Sequence, residues 1–329
     1  MKQIFFILLA VVFFYNCSKD EDGTLSPTYK DIDWFTIADS QDEVDHLRHE
    51  IWRDYGISVY YSDTIGKQFR GIDGYGDSII HHEVLKINYT IESGSTVTET
   101  YELSKNRDAI KAGVLFIKND VIPRMVPAVY PRSVLLVEYL VLQANNTEAE
   151  GKREGRLYKG MSTTVISQID SLAKMPKQVR DSFATEVAGT IMAEYVVEMY
   201  AEELNNFYEL SNKSVTWPSD WTWEHVIYDR TVLKTGSPSS NAPFLPHWNG
   251  YGFLNDSPVG NVRQITDREI VRFRTPSKTQ DVAAYLQAVM LYDRSTFSSL
   301  HEGVDGYELI MEKFDIMKEI LSEIESSLK

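Results

Sequence analysis

The chain has 329 residues, of which 43% are hydrophobic and 25% charged, and its formal net charge is −15. That length and apolar content are enough to build a substantial core, which excludes a wholly disordered chain. Nucleic-acid binding needs a clustered Lys/Arg face, and no basic run here exceeds two adjacent residues, so the acidic balance excludes nucleic acid as a partner. Cys17 is the only cysteine, which excludes a disulfide framework.

Residues 1–17 place Lys2 ahead of an apolar run from Ile4 to Phe14, with Cys17 close behind. This is the n-region and h-region of an export signal, too short for a spanning helix. The stretch resembles a bacterial lipoprotein signal with a loose lipobox at Phe14-Tyr15-Asn16, and the resemblance implies a lipidated Cys17. Residues 18–33, opening on Ser18-Lys19-Asp20-Glu21-Asp22, read as an acidic tether and resemble the signal that sends such lipoproteins to the outer face of the outer membrane. The expected location is therefore lipid-anchored at the outer membrane and exposed on the cell surface, with outer-membrane lipid as a partner through Cys17.

Residues 34–329 are expected to form a single α+β domain, strand-rich to about residue 170 and helix-rich after it. Ser40, with Glu43 three residues on, predicts a helix start, followed by Val44, Leu47 and Ile51 at helical spacing. His46 and His49 on this helix flank charged residues and read as surface histidines. Residues 55–61 alternate as a strand, and residues 84–89 and 97–101 read as a hairpin across Glu92-Ser93-Gly94. Gly71, Gly74 and Gly76 are turn chemistry between strands, with no helix start to make a phosphate cradle. His81 and His82, adjacent on a strand, point to opposite faces and cannot easily share a metal. Residues 108–119 carry a helical stripe, residues 134–142 read as one central strand buried on both faces, residues 145–155 as a charged loop, and residues 163–166 as a further strand.

After Pro176 the apolar positions Phe183, Val187, Ile191 and Tyr195 recur at helical spacing and continue through Val196, Met199, Leu204 and Phe207, predicting one long central helix. Trp217, Trp221, Trp223 and Trp248 then mark an aromatic loop region. They are a candidate binding surface for a peptide or glycan, weighed against a satellite core under irregular backbone. Residues 279–292 and 306–328 are amphipathic and read as a terminal helix pair.

The central helix carries the outline of a zinc-hydrolase motif. Such a motif sets two histidines at i and i+4 on one helix face, with a glutamate beside the first as general base for the metal-bound water. Here the segment reads Thr185-Glu186-Val187-Ala188-Gly189: the glutamate is present, while threonine is a poor ligand and glycine has no side chain. The chain resembles the zinc-binding metallopeptidase lipoproteins associated with TonB-linked substrate import in Bacteroidota. The likeness rests on Tyr55-Gly56-Ile57-Ser58-Val59-Tyr60-Tyr61, Leu135-Leu136-Val137, residues 183–192, Gly252-Phe253, Gln280-Asp281-Val282-Ala283-Ala284 and Lys313-Phe314-Asp315-Ile316-Met317-Lys318.

That resemblance implies a zincin-like fold: a mixed small sheet, a long central helix, an aromatic loop region and C-terminal helices. It puts Thr185 and Gly189 at the histidine positions, Glu186 at a vestigial general-base position, and Asp281 as a remnant carboxylate where a further ligand is expected. No metal, no cofactor and no catalytic residue are then expected. The implied function is a non-catalytic surface lipoprotein, an accessory or binding component of an outer-membrane TonB-linked import system. Its partners would be the importer, a companion lipoprotein and a peptide or glycan. The alternative is an active metal-dependent peptidase whose ligands come from elsewhere, with His225, His247 or His301 converging on Glu186, Glu194 or Asp281. No G-x-S-x-G elbow and no nucleotide fingerprint offers another chemistry.

Overall fold

The computed structural model describes residues 32–85, 87, 97–144, 152–160, 162–215, 217, 225–233, 247–255 and 272–327. The Cys17 signal and nearly all of the tether lie outside them. Among the described residues no helix is long and apolar enough to cross a membrane. The architecture is α+β, with small sheets and several helices. The chain divides into two compact units, one over Met1–Trp34 and Gly66–Glu83, the other over Phe35–Ile65 and Val84–Lys329.

The smaller unit is a hairpin of β2 (Thr64–Ile72) and β3 (Ser78–Val84). Its turn closes where the Gly76 N–H donates to the Asp73 carbonyl at 3.1 Å, with Gly76 at φ 93°, a backbone conformation glycine adopts without steric cost. Trp34 lies so close over Gly66 that a Cβ there would sit 2.0 Å from the indole.

The larger unit begins with α1 (Glu43–Tyr55). It is capped by Asp42 rather than Ser40: the Asp42 carboxylate accepts from the N–H groups of Val44 and Asp45 at 2.9 and 3.0 Å. Strand β1 (Ser58–Tyr60) pairs in parallel with β5 (Ser133–Leu136), β5 in parallel with β9 (Thr163–Ile166), and β8 (Leu157–Lys159) antiparallel with β9, giving the order β1-β5-β9-β8. All residues of β1, β5 and β9 are buried, as parallel strands covered on both faces require. Ser133 Oγ of β5 lies 2.7 Å from Thr163 Oγ1 of β9, whereas the buried Thr164 Oγ1 beside it has no partner among the described residues.

A second sheet joins β4 (Val97–Glu102), β6 (Tyr139–Ala144) and β7 (Lys152–Glu154), all antiparallel. Residues 97–102 pair with β6, while the hairpin expected between them and residues 84–89 falls on a stretch of which 86 and 88–96 lie outside the described residues. Two expectations change here. Residues 152–154 are strand, not loop. The apolar run 134–142 is two strands in two sheets. The Val137 N–H donates to Ile166 O at 2.9 Å, at the end of β9, and the next N–H, of Glu138, donates to Glu102 O at 2.8 Å, at the end of β4. A change of backbone partner between neighbouring residues is invisible to side-chain hydrophobicity.

Helix α2 (Arg107–Phe116) widens into a π-helical turn over Ile117–Val121 before the prolines, and α3 (Ile169–Leu172) is a single turn. The long helix α4 (Lys177–Met199) starts after Pro176, and α5 (Ala201–Ser214) follows it. The two are separate because Tyr200 leaves helical geometry at φ −117°, ψ 36°. A short β10 (Thr231–Leu233) pairs with β11 (Arg272–Arg274). Helices α6 (Lys278–Leu291), α7 (Arg294–His301) and α8 (Tyr307–Ser327) close the chain, α7 being a helix that the sequence pattern does not reveal.

The core sits around α4. Phe183, Ala184, Val187, Ala188, Met192 and Val196 are all fully buried. Gly189 lets α6 approach: a Cβ there would lie 3.2 Å from both the Ala283 carbonyl oxygen and the Gln287 nitrogen.

Candidate functional site

A cleft of about 660 Å³ opens between three elements of the larger unit. One wall is β8 with the residue before it, Arg156; the second is α4; the third is α6, through residues that include Gln280, Ala284 and Gln287. Among the described residues β8 is an edge strand, so its outer backbone groups face no neighbouring strand. Helix α4 presents Glu186, Thr190 and Glu194 to the cleft, an i, i+4, i+8 stripe one turn apart at each step.

Each of the two glutamates meets a cation from the strand side. Lys159 Nζ lies 2.6 Å from Glu194 Oε2, a short charge-assisted hydrogen bond. Arg156 Nη1 lies 3.6 Å from Glu186 Oε2, too far for one. The Glu186 side chain is 33% exposed, and burial pushes its carboxyl above the ordinary range despite the opposing pull of Arg156. The Arg156 guanidinium lies over the Phe183 ring at 4.1 Å. Its Nε is buried with no partner.

Thr185 and Gly189, the positions that the resemblance would give to zinc ligands, do not line this cleft. Thr185 is 1% exposed, and its Oγ1 donates to the Asp181 carbonyl one turn back at 2.8 Å. Gly189 is closed against α6. Neither offers a zinc donor, and one residue of offset on a helix turns the side chain by 100°, which is why Glu186 and Thr190 reach the cleft while Thr185 and Gly189 face the interior.

Asp281, on α6, is 1% exposed and paired with Lys313 of α8, which is 0% exposed; Lys313 Nζ is 2.5 Å from Asp281 Oδ2. Tyr228 donates to the same oxygen at 2.8 Å, and Lys313 donates to Ser211 Oγ at 3.0 Å. The ammonium lies among the rings of Phe207, Phe253 and Tyr285, 4.2–5.1 Å away. Burial drives the Asp281 carboxyl upward and the Lys313 amine downward, each opposed by the other's charge. Asp281 is thus committed to an internal ion pair, with Oδ1 unpartnered.

The histidines named for an alternative metal set are engaged locally. His247 accepts from the Asn249 N–H, and the ring nitrogen Nδ1 of His301 is 2.9 Å from the Phe297 carbonyl. The His225 ring is 5.2 Å from that of Trp217. Among the described residues no three His, Cys, Asp or Glu side chains come together in a way that could hold a metal ion. The zinc ligand set of the resembled family therefore finds no match among the described residues.

Of the tryptophan surface, Trp217 and Trp248 are partly buried and pack against the main core, while Trp221 and Trp223 lie outside the described residues. Sequence reasoning reached Glu186 and named Glu194, but it missed Arg156, Lys159 and Thr190. The available signal was a polar stripe at positions 186, 190 and 194 on a helix otherwise rich in apolar residues. Comparison with family models, curated proteins and solved structures finds no match for this chain.

Proposed function

We propose that the chain is a non-catalytic binding lipoprotein of zincin-like architecture, exposed at the outer membrane through Cys17 and accessory to a TonB-linked import system. In this reading the cleft beside β8 holds an extended peptide segment. An extended chain can add to a free strand edge through main-chain hydrogen bonds, with its side chains reaching the walls formed by α4 and α6.

One observation carries the reading: the two helix positions that would ligate zinc hold a threonine bonded to its own helix and a glycine closed against α6. A catalytic zinc needs three protein ligands at about 2.0–2.2 Å for nitrogen and oxygen donors. Zinc-ligand chemistry is missing at those positions of α4, while a concave site lies beside the helix.

The test is elemental analysis of purified protein after dialysis, together with a peptide-cleavage assay in added zinc. The expected result is no stoichiometric zinc and no zinc-dependent cleavage. One tightly held zinc per chain, or cleavage that a chelator abolishes, would replace this reading with the hydrolase.

A further inference from the structure

We propose that Arg156 makes the cleft a receptor for a carboxylate group, which it binds through its guanidinium beside Glu186. The proposal rests on the cleft being a binding site and deepens that reading by naming the chemistry of its ligand.

Of the two cations among the described residues lining the cleft, Lys159 is already engaged by Glu194 at 2.6 Å. Arg156 is not. Its side chain is 36% exposed, its Nε is buried without a partner, and no hydrogen bond from it falls on another described residue. Its one ion-pair partner, Glu186, stands at 3.6 Å. The Phe183 ring, 4.1 Å from the guanidinium carbon, gives it a packed neighbour that limits its freedom, so ordering it costs a ligand less. Nε is closed off from the cleft, but the two terminal nitrogens of the guanidinium remain as accessible donors at its wall, and a carboxylate can take two parallel N–H bonds from them.

The other charged groups facing the site are acidic: Glu186 beside Arg156, Glu194 held by Lys159, Asp281 held by Lys313, and Glu154, which accepts from Gln168 at 3.2 Å. Only Glu186 competes directly for Arg156. An incoming carboxylate takes over the guanidinium, and Glu186 answers by taking up a proton and donating a hydrogen bond in place of its charge. Burial already favours that protonation. Binding is therefore expected to strengthen as pH falls.

Two sources share this chemistry, the C-terminus of a peptide and the uronic acid of a glycan. The test measures by calorimetry the binding of acetyl-pentaalanine with a free C-terminus against its C-terminal amide, and of a galacturonic acid disaccharide against the galactose disaccharide. At least one acid is expected to bind about tenfold or more tightly than its neutral partner. Arg156→Met is expected to erase that preference, Arg156→Lys to keep part of it, and Glu186→Gln to keep it while flattening its pH dependence.

If only the uronate binds, and does so through Arg156, the carboxylate assignment stands and the peptide reading falls. Equal binding of acid and amide, no binding of any acid, or an intact preference in folded Arg156→Met would overturn the assignment. Should Arg156→Met fail to fold, the acid-against-neutral comparison and the Glu186→Gln profile decide on their own.

Discussion

At the scale of single residues, one step along α4 separates packing from exposure. Glu186 sits at the cleft with its carboxyl pushed up by burial. A folded-state pKa above the unfolded value contributes stability in acid that is lost as pH rises through the folded value. Glu186→Gln is therefore expected to raise the melting temperature at pH 7 by about 1–2 °C and to have no effect near pH 4, read by thermal denaturation across pH. Its neighbour three positions on behaves differently. Replacing Gly189 by His drives a side chain into backbone atoms of α6 that cannot move without the whole helix, so Gly189→His is expected to cost about 2–3 kcal/mol in urea unfolding. Added zinc is not expected to recover that loss, even with Thr185→His alongside. Glu186 was legible in the sequence because it stands in a recognisable pattern. Arg156 was not, since nothing local ties residue 156 to residue 186.

At the scale of elements, the pair Asp281–Lys313 joins α6, one wall of the cleft, to α8. Removing one partner leaves the other charge buried, so Lys313→Met is expected to destabilise by about 3–5 kcal/mol. Adding Asp281→Leu is expected to recover most of that cost, because the apolar pair leaves no unmet charge; a double-mutant cycle in denaturant reads the difference. Periodicity predicts α6 and α8 but not their pairing through a buried ion pair, since Lys313 looks like any surface lysine on an amphipathic helix. The same limit explains the sheet. Residues 134–142 are apolar throughout, and the switch between sheets at Val137 and Glu138 is carried by backbone N–H groups that every residue but proline possesses. The break after α4 is likewise a matter of the backbone of Tyr200 alone.

At the scale of the whole molecule, a protein that folds around a bound metal is stabilised by it in proportion to occupancy. With no converging ligand set among the described residues, neither zinc nor a chelator is expected to move the melting temperature by more than the error of a differential scan. A chelator-induced fall of several degrees would show a metal at work in the fold. The sequence by itself determined the α+β class, the helices with a strong apolar stripe, the poverty of zinc donors around Glu186 and, with a single cysteine, the exclusion of a disulfide within the chain, because composition and periodicity are local properties. Only the tertiary structure decided which strands pair, that α6 closes on Gly189, that Asp281 belongs to Lys313, and that Arg156 stands at a cleft with donors to offer. Those facts depend on contacts between residues far apart in the chain, which form only when the core buries and the backbone finds its partners.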